Sequence, residues 1–433
     1  MSTDKVEAIL SDFQRFGVHL GLDRIKRLLS DLDNPQNQYP IVHVAGTNGK
    51  GSVCAYLSSV LTAAGYKVGR YTSPHLINWT ERICLNEQAI SSEVLASVLE
   101  TVTKAIAPDL ETPTLFEVLT AAAWLYFAQE KVDIAVIEVG LGGRLDATNV
   151  CDRPLVTVIT SLSLEHWQSL GLTLAAIAGE KAGILKPACP AVIGQLPPEA
   201  KQVVLNRLNL LNCPSVWIEP SRRLEGDWAR FATYHSMNAA GRLQPLEPIE
   251  YQLGLQGDIQ LINSAIAIAT LQILQQYHWR ISLAALQSGI KDARWQGRIQ
   301  WTEWKGHRLL IDGAHNTEAA IALRQYVDTL PSPQTWIIGI LSTKDHQNIL
   351  RTLLRSGDTV YFVPVPDHST ASPGDLAQIA QQLCPGLTQC EVVEDVFAAL
   401  DRAIPTAQST ILSGSLYLIG YFLKHQSCYF SHP

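Results

Sequence analysis

Residues 41–52 read IVHVAGTNGKGS, and this stretch decides the fold class. A short apolar run, 41–46, ends in glycine. A loop containing Gly46, Thr47, Asn48, Gly49, Lys50 and Gly51 follows, and helix-like sequence with Ser52 in its first turn continues to residue 64. Glycines let successive backbone N–H groups point into one concavity, and the positive end of a helix favours an anion there. Lys50 supplies a point charge for outer phosphates, and the Ser52 hydroxyl can bind magnesium. The spacing departs from G-x-x-x-x-G-K-[ST]: the first glycine stands nearer, and Gly51 separates lysine from serine. A glycine-rich turn without a ligand is the alternative. Strand, loop and helix in the required order favour the phosphate site.

Working outward, strands and helices alternate. A strand at 67–72 is followed by helical spacing over 93–106 and 116–127, then buried-strand runs at 133–139 and 155–159. This alternation implies a mostly parallel sheet covered on both faces. Residues 222–250 read as irregular or as a small antiparallel patch. Helices are expected at 258–277 and 283–293. The pattern then restarts: a hairpin over 300–311 around Lys305-Gly306, helix 317–330, strand 335–341, helix 346–354, strand 359–365, helices 373–382 and 395–404, and strand 409–415. That is a second, smaller α/β unit, with its boundary near Trp295-Gln296-Gly297.

The strand 133–139 ends in Glu138, within DIAVIEVG. A lone carboxylate closing an apolar parallel strand faces the crevice where ligands bind. Magnesium prefers one or two such carboxylates together with water and phosphate oxygens. Beside a phosphate loop, Glu138 reads as a metal ligand; without one it would be a solvated strand end.

Bulk composition narrows the field. The 433 residues are 47% apolar and 17% charged, with a formal net charge of −7, which argues against a disordered chain and against non-specific nucleic-acid binding. The eight cysteines form no C-x-x-C pair, so a zinc site and a disulfide framework are both disfavoured. No apolar stretch approaches the roughly 20 residues that span a bilayer, and the first residues do not read as a signal peptide. A cytoplasmic protein without membrane or nucleic-acid partners is expected.

Five blocks occur in order: GTNGKGS (46–52), TSPHL (72–76), EVGLGGRLDATN (138–149), GEKAGILK (179–186) and DGAHN (312–316). Together they resemble folylpolyglutamate synthase / dihydrofolate synthase, a branch of the Mur ligase superfamily, over almost the whole chain. The resemblance implies a large N-terminal P-loop ATPase-type domain (1–296) that binds ATP and folate. It also implies a smaller C-terminal Rossmann-like domain (297–433) that belongs to glutamate ligation. The implied chemistry is attack of a substrate carboxylate on the ATP γ-phosphate, giving an acyl phosphate that the amine of glutamate then opens. Positioning and charge screening dominate such a reaction. The substrates are small molecules, and the family is usually monomeric.

By the same resemblance, the metal site draws on Ser52, Ser73, Glu138 and His166. Asp is common in the family where this chain has Glu165. Lys181 resembles a lysine that many of these ligases carry as a carbamate; unmodified, it is an ordinary salt-bridged lysine. ATP contacts are implied for the 46–52 loop, Asn263, Arg298, Asp312 and His315, with Lys50, Lys181 and His315 counted as catalytic. In the stretch GDIQLIN (257–263), Ile259 stands where many relatives have histidine. The folate side is implied for Ser73, Pro74, His75 and Arg82, with residues 142–149 as a substrate-side loop. Phe116 could stack on a flat heterocycle or be a core residue. Ser413 and Ser415 are the candidates for holding glutamate. A site shared by both domains implies closure around 295–298, since an exposed acyl phosphate hydrolyses.

Two rivals remain. A Mur-type ligase of cell-wall precursors would share GTNGK but normally has a separate uridine-nucleotide domain ahead of it, and only about forty residues precede Ile41. A P-loop kinase would need neither DGAHN nor EKAGI.

Overall fold

The computed structural model describes residues 2–14, 20–107, 111–232, 235–237, 243–245, 248–404 and 409–429. The chain divides into unit 1, Met1–Gly254 with Leu261–Ala293, and unit 2, Leu255–Gln260 with Arg294–Pro433.

Unit 1 contains helices α1 (Ser2–Gln14), α2 (Asp23–Asp31), α3 (Lys50–Ala63), α4 (Ser92–Lys104), α5 (Leu115–Gln129), α6 (Trp167–Leu170), α7 (Leu174–Lys181), α8 (Pro198–Leu210), most of α9 (Ile259–Gln276) and α10 (Leu283–Asp292). Its main sheet has strands β1 (Ile41–Ala45), β2 (Val68–Tyr71), β3 (Ile83–Leu85), β4 (Gln88–Ala89), β5 (Ile134–Glu138), β6 (Val156–Ile159), β7 (Ala191–Ile193) and β8 (Ser215–Trp217). Their spatial order is β4-β3-β2-β5-β1-β6-β7-β8. β3 and β4 are antiparallel at one edge; the remaining pairings are parallel. β1, β2, β5 and β6 are buried along their whole length, as parallel strands covered on both faces must be.

Leu10, Ile25, Leu95, Leu99, Trp124 and Phe127 join α1, α2, α4 and α5 into one core. Ile159, Ala178, Ile193 and Val204 join α7 and α8 to the other half of the sheet. The N-terminus of α5 is set by a capping box, in which the Thr114 and Glu117 side chains satisfy each other's backbone N–H. Arg24 of α2 bonds the same buried Glu117 at 3.0 Å, which pins α2 to the start of α5.

The stretch 222–250 contains a small antiparallel sheet of β9 (Arg222–Arg223), β10 (Trp228–Phe231) and β13 (Ile249–Gln252), plus a ladder of β11 (His235–Met237) with β12 (Leu243–Pro245). Along β10, burial alternates residue by residue, the signature of a sheet with one wet face.

Unit 2 is a six-stranded sheet. It is built from β14 (Gln300–Trp304), β15 (His307–Asp312), β16 (Thr335–Ile338), β17 (Thr359–Phe362), β18 (Gln389–Val392) and β19 (Thr410–Ser413), in the order β14-β15-β19-β16-β17-β18. Helices α11 (Thr317–Val327), α12 (His346–Leu353), α13 (Pro373–Leu383), α14 (Val396–Ala403) and α15 (Leu416–Tyr429) belong to it. The β14–β15 hairpin turns at Lys305 and Gly306, both with positive φ, 48° and 80°, as a two-residue hairpin loop requires. The other pairings are parallel, so Asp312, Ser413 and Ile338 sit side by side in register at the carboxyl edge.

Helices α1, α2, α6, α8 and α15 and strands β3, β4, β7, β8 and β18 go beyond the sequence reading. The strands are two to four residues long, too short for any period to register. Among the described residues, no helix is long and apolar enough to cross a membrane.

Unit 2 hangs on one buried carboxylate. Asp358 accepts from the Gln334 N–H at 2.9 Å, Trp336 Nε1 at 3.1 Å and the Arg355 N–H at 3.0 Å, and it faces the buried Arg324 guanidinium at 3.4 Å. Asp358→Ala leaves the buried Gln334 and Trp336 N–H groups and the Arg355 N–H without this acceptor, while Arg324 keeps Asp328 and the Leu353 carbonyl, and the expected loss is about 3–5 kcal/mol. Urea unfolding measures it; a loss within ~1 kcal/mol would contradict this account of the unit's stability.

Candidate active site

The phosphate loop leaves β1 at Gly46, whose φ is 151°. A Cβ built there would lie 1.9 Å from Thr160 Oγ1. Gly49, at φ 86°, caps α3, and a Cβ there would lie 2.4 Å from Asn263 Oδ1. Both positions therefore exclude a side chain, and Asn263 of α9 packs directly on the loop. The chain just after β6 holds the loop's first half. The Thr47 N–H donates to the Ser161 carbonyl at 2.7 Å and the Asn48 N–H to Ser161 Oγ at 3.1 Å. Thr160 Oγ1 donates to the Asn48 carbonyl at 2.6 Å, and the Ser163 N–H to Thr47 Oγ1 at 3.1 Å. These hydroxyl residues were not singled out from the sequence. Their signal is the T-S-L-S run at the end of a buried strand.

Two lysines donate to the same loop. Lys50 Nζ reaches the Thr47 carbonyl at 3.1 Å, and Lys181 Nζ reaches the Gly46 carbonyl at 2.8 Å. Lys181, the last residue of α7, is buried. Burial pushes its ammonium down to about 7, the Lys50 charge pushes the same way, and Glu165 and Asp146 oppose it. An ordinary lysine, near 10.4, is almost entirely protonated at neutral pH; this one carries a substantial neutral fraction.

Glu138 ends β5, in register with Val44 of β1. It is 3% exposed, and its Oε2 accepts the Ser73 N–H at 3.2 Å. Ser73 follows β2, and Ser52, 4% exposed, lies in the first turn of α3. The loops after β1, β2, β5 and β6 thus share the carboxyl edge of the sheet, where open α/β folds bind ligands. His166 lies beyond β6 on an exposed turn with φ 52°, as the residue before α6. Among the described residues, no three His, Cys, Asp or Glu side chains form a metal-holding group. A buried carboxylate with serine hydroxyls is a hard oxygen donor set. It fits a magnesium ion that completes its shell with phosphate oxygens and water.

In the 73–82 segment, Arg82 Nε donates to His75 Nδ1 at 2.8 Å, and both pack on Trp79: the His75 ring at 4.4 Å and the guanidinium at 4.7 Å from the Trp79 centroid. The Glu81 carboxylate collects the N–H groups of Leu76, Ile77 and Asn78 at 2.7–2.9 Å. Trp79 lies three residues beyond the TSPHL block and was not singled out from the sequence. Phe116 covers Gly140, where a Cβ would come within 2.3 Å of its ring, and it lies 6.2 Å from the Tyr71 ring. Phe116 thus borders the 140–149 loop.

In unit 2, Asp312 is 5% exposed and accepts the Ile299 and Ala314 N–H groups, each at 2.8 Å. Burial raises its carboxyl, and the Arg298 charge opposes this most strongly. His315 Nδ1 lies 2.8 Å from the Gly313 carbonyl. A carbonyl only accepts, so Nδ1 carries the proton and Nε2 is the basic nitrogen. Ser413 is fully buried, and its Oγ has no hydrogen-bond partner among the described residues; Ser415 Oγ accepts the Tyr417 N–H at 3.2 Å.

Residues 44–271 match the family described as Mur ligase middle domain, and residues 298–425 match dihydrofolate synthetase, C-terminal domain. The chain is 35% identical to the folylpolyglutamate synthase of Lacticaseibacillus casei, over 96% of this chain and 97% of that one. It is 33% identical to the dihydrofolate synthase/folylpolyglutamate synthase of Bacillus subtilis, over 95% and 96%. Among solved structures, E. coli FolC in complex with DHPP and ADP superposes with a TM-score of 0.81 at 29% identity, covering 98% of this chain and 97% of that one.

Gly46→Ala places a methyl inside Thr160 Oγ1 and forces an alanine into glycine backbone. Binding of a non-hydrolysable ATP analogue, read by calorimetry, is expected to weaken at least about tenfold, ~1.4 kcal/mol. Adding Thr160→Ala should recover part of that loss. Wild-type affinity in the single variant would refute this account of the loop.

Proposed function

The chain belongs to the folylpolyglutamate synthase and dihydrofolate synthase family of Mur-type ligases, and we propose that it joins L-glutamate to reduced folates and to dihydropteroate. It is an ATP-dependent ligase. The observation that carries the reading is the convergence of the 46–52 loop, Lys50, Lys181, Ser73 and Glu138 at one sheet edge.

In the proposed reaction a carboxylate oxygen of the pteroyl substrate attacks the γ-phosphorus of ATP. The bond to the β-phosphate oxygen breaks and ADP leaves. The glutamate amine then attacks the acyl carbon, the carbon–oxygen bond to phosphate breaks, and the amine gives up a proton. Backbone N–H groups at the start of α3 and the Lys50 ammonium hold the polyphosphate and screen the developing charge. Ser52, Ser73, Glu138 and His166 would hold a magnesium ion, which supplies further charge neutralisation when bound. Asn263, Arg298, Asp312 and His315 are the remaining proposed ATP contacts. His75, Arg82 and Phe116, with Ser73 and Pro74, face the pteroyl substrate. The buried, unpartnered Ser413 hydroxyl beside Asp312, together with Ser415, supports a glutamate subsite. The Mur-type alternative is not favoured, because the curated relatives named here are folate ligases along their full length.

Lys181 fits a carbamate. Its neutral amine adds to the carbon of CO2 and loses one proton, which turns a cation into an anion able to hold a second magnesium. The low ammonium pKa, about 7, supports this, because only the neutral amine reacts.

ADP release should require both a pteroyl substrate and glutamate. A stable phosphorylated product, with ADP but no free phosphate, would favour a kinase. Lys50→Ala should lower kcat/KM about 10²–10³-fold while retaining the wild-type melting temperature. Glu138→Gln should raise the magnesium concentration needed for half-maximal rate; an unchanged metal titration would contradict the ligand role.

The carbamate should be more complete at pH 8 than at pH 6, since the neutral amine grows as pH rises through about 7. Turnover should fall in CO2-stripped buffer and return with bicarbonate. Insensitivity to CO2 at both pH values would exclude the modification.

A further inference from the structure

His43 lies in the middle of β1, three residues before the phosphate loop, with no exposed surface. A buried imidazole in a parallel strand costs desolvation and packs less well than the Val or Ile that usually fills such a position. Its imidazole Nε2 lies 2.9 Å from Thr148 Oγ1; among the described residues its Nδ1 has no hydrogen-bond partner.

Thr148 belongs to the loop that follows β5. Its Oγ1 donates to Asp146 Oδ1 at 2.5 Å. A carboxylate can only accept, so the hydroxyl proton points at Asp146, and the hydroxyl must accept from His43. The order is fixed: His43 Nε2–H to Thr148 Oγ1–H to the Asp146 carboxylate. The bare Nδ1 is the consequence. Burial, with Lys186 adding to it, pushes the imidazolium down to about 3, so the ring stays neutral and the order holds through the physiological range.

Asp146 is 3% exposed. Besides the Thr148 hydroxyl it receives the Leu141 N–H at 2.7 Å, the Thr148 N–H at 3.0 Å and the Gly140 N–H. Four donors fill the roughly four lone-pair positions of a carboxylate. Donors from both ends of the 140–148 segment thus close on one side chain, and the Thr148–His43 pair ties that closure to β1. This loop begins at Gly140, against which Phe116 packs, and Asp146 lies close enough to Lys181 and Tyr71 for its charge to bear on both.

We propose that His43 and Thr148 are positioning residues: with Asp146 they form a buried brace that locks the 140–149 loop to β1 in the shape that receives the pteroyl substrate. The brace acts through the loop and leaves nucleotide binding, which rests on the 46–52 segment, largely alone. The proposal builds on the pteroyl-binding reading of this edge.

Thr148→Val keeps the shape and deletes both hydroxyl bonds; Thr148→Ser keeps the hydroxyl. His43→Leu deletes the donor; His43→Gln offers an amide N–H near the Nε2 position. In steady-state ligation with tetrahydrofolate and with dihydropteroate, Thr148→Val and His43→Leu should each raise the KM of the pteroyl substrate about tenfold or more, ~1.4 kcal/mol. The Kd of a non-hydrolysable ATP analogue, read by calorimetry, should stay within about twofold, ~0.4 kcal/mol. Thr148→Ser and His43→Gln should recover most of the loss. The double variant His43→Leu/Thr148→Val should be no worse than either single one, because the two residues form one chain. Amide hydrogen exchange of segment 140–149 should accelerate in Thr148→Val and not in Thr148→Ser.

Additive losses, an equal loss of nucleotide affinity, or Thr148→Val with wild-type KM and exchange would overturn the brace. If the leucine and valine variants do not fold, exchange and KM in the glutamine and serine variants decide: accelerated exchange at 140–149 with unchanged KM refutes the proposal. Failure of the wild-type chain to ligate either pteroyl substrate would refute the function, not the brace, and exchange still reports on the latter.

Discussion

The bond from Lys181 Nζ to the Gly46 carbonyl, buried at the carboxyl edge of the main sheet, is the constraint on which unit 1 depends. A lysine that far from water is costly as a cation. Acceptors nearby soften the cost, and the fold supplies a loop carbonyl together with the fields of Glu165 and Asp146. Lys50 is close enough to oppose them. Two lysines therefore lean on one loop of seven residues, and an anion placed there relieves both. A polyphosphate would do so at the start of α3, and a carbamate at Lys181 itself. The same crowding gives the glycines at 46 and 49 their necessity, since Thr160 and Asn263 already occupy the space a side chain would need.

Reaction by acyl phosphate asks for little bond-making by the protein and much geometry. Carboxylates near strand ends within each unit match that division. Glu81, Asp146 and Asp312 are carboxylates that spend themselves on backbone N–H groups: three for Glu81, three together with a hydroxyl for Asp146, two for Asp312. Each freezes one loop at the end of a strand. Glu138 holds the Ser73 N–H at the end of β5.

Much of this was legible in the chain itself. The runs at 41–46 and 133–139 announce buried parallel strands because nothing polar interrupts them, and GTNGKGS announces its loop because glycine spacing is local chemistry. The Lys305-Gly306 turn is legible for the same reason. Lys181 is different. Its sequence neighbours, Glu180 and Ala182, describe an ordinary helix end, and its burial comes from Gly46, 135 positions away. Ser161 and Thr148 are likewise unremarkable until β1 lies beside them. The short strands at 83–85, 191–193 and 389–392 exist because longer neighbours offer them a ladder, a cause that no local pattern carries. His43 was inside the quoted motif, yet its partner stands 105 residues on.

The departure of 46–52 from the common phosphate-loop spacing has a structural reading. Thr47 and Asn48, which come early in the loop, commit their N–H groups to Ser161. The first intrahelical bond of α3 runs from the Val53 N–H to the Gly49 carbonyl, so the N–H groups of Lys50, Gly51 and Ser52 have no acceptor within the helix. In the proposed nucleotide site, phosphate recognition would then fall on the second half of the loop and the first turn of α3. There Gly51, between lysine and serine, keeps the approach to backbone open. The first half acts as an anchor to β6. A chain with the ordinary spacing wraps its loop around phosphate; this one fixes half of its loop to the sheet in advance. Less of the binding energy then goes to ordering the loop, and more remains for holding the reacting groups in line.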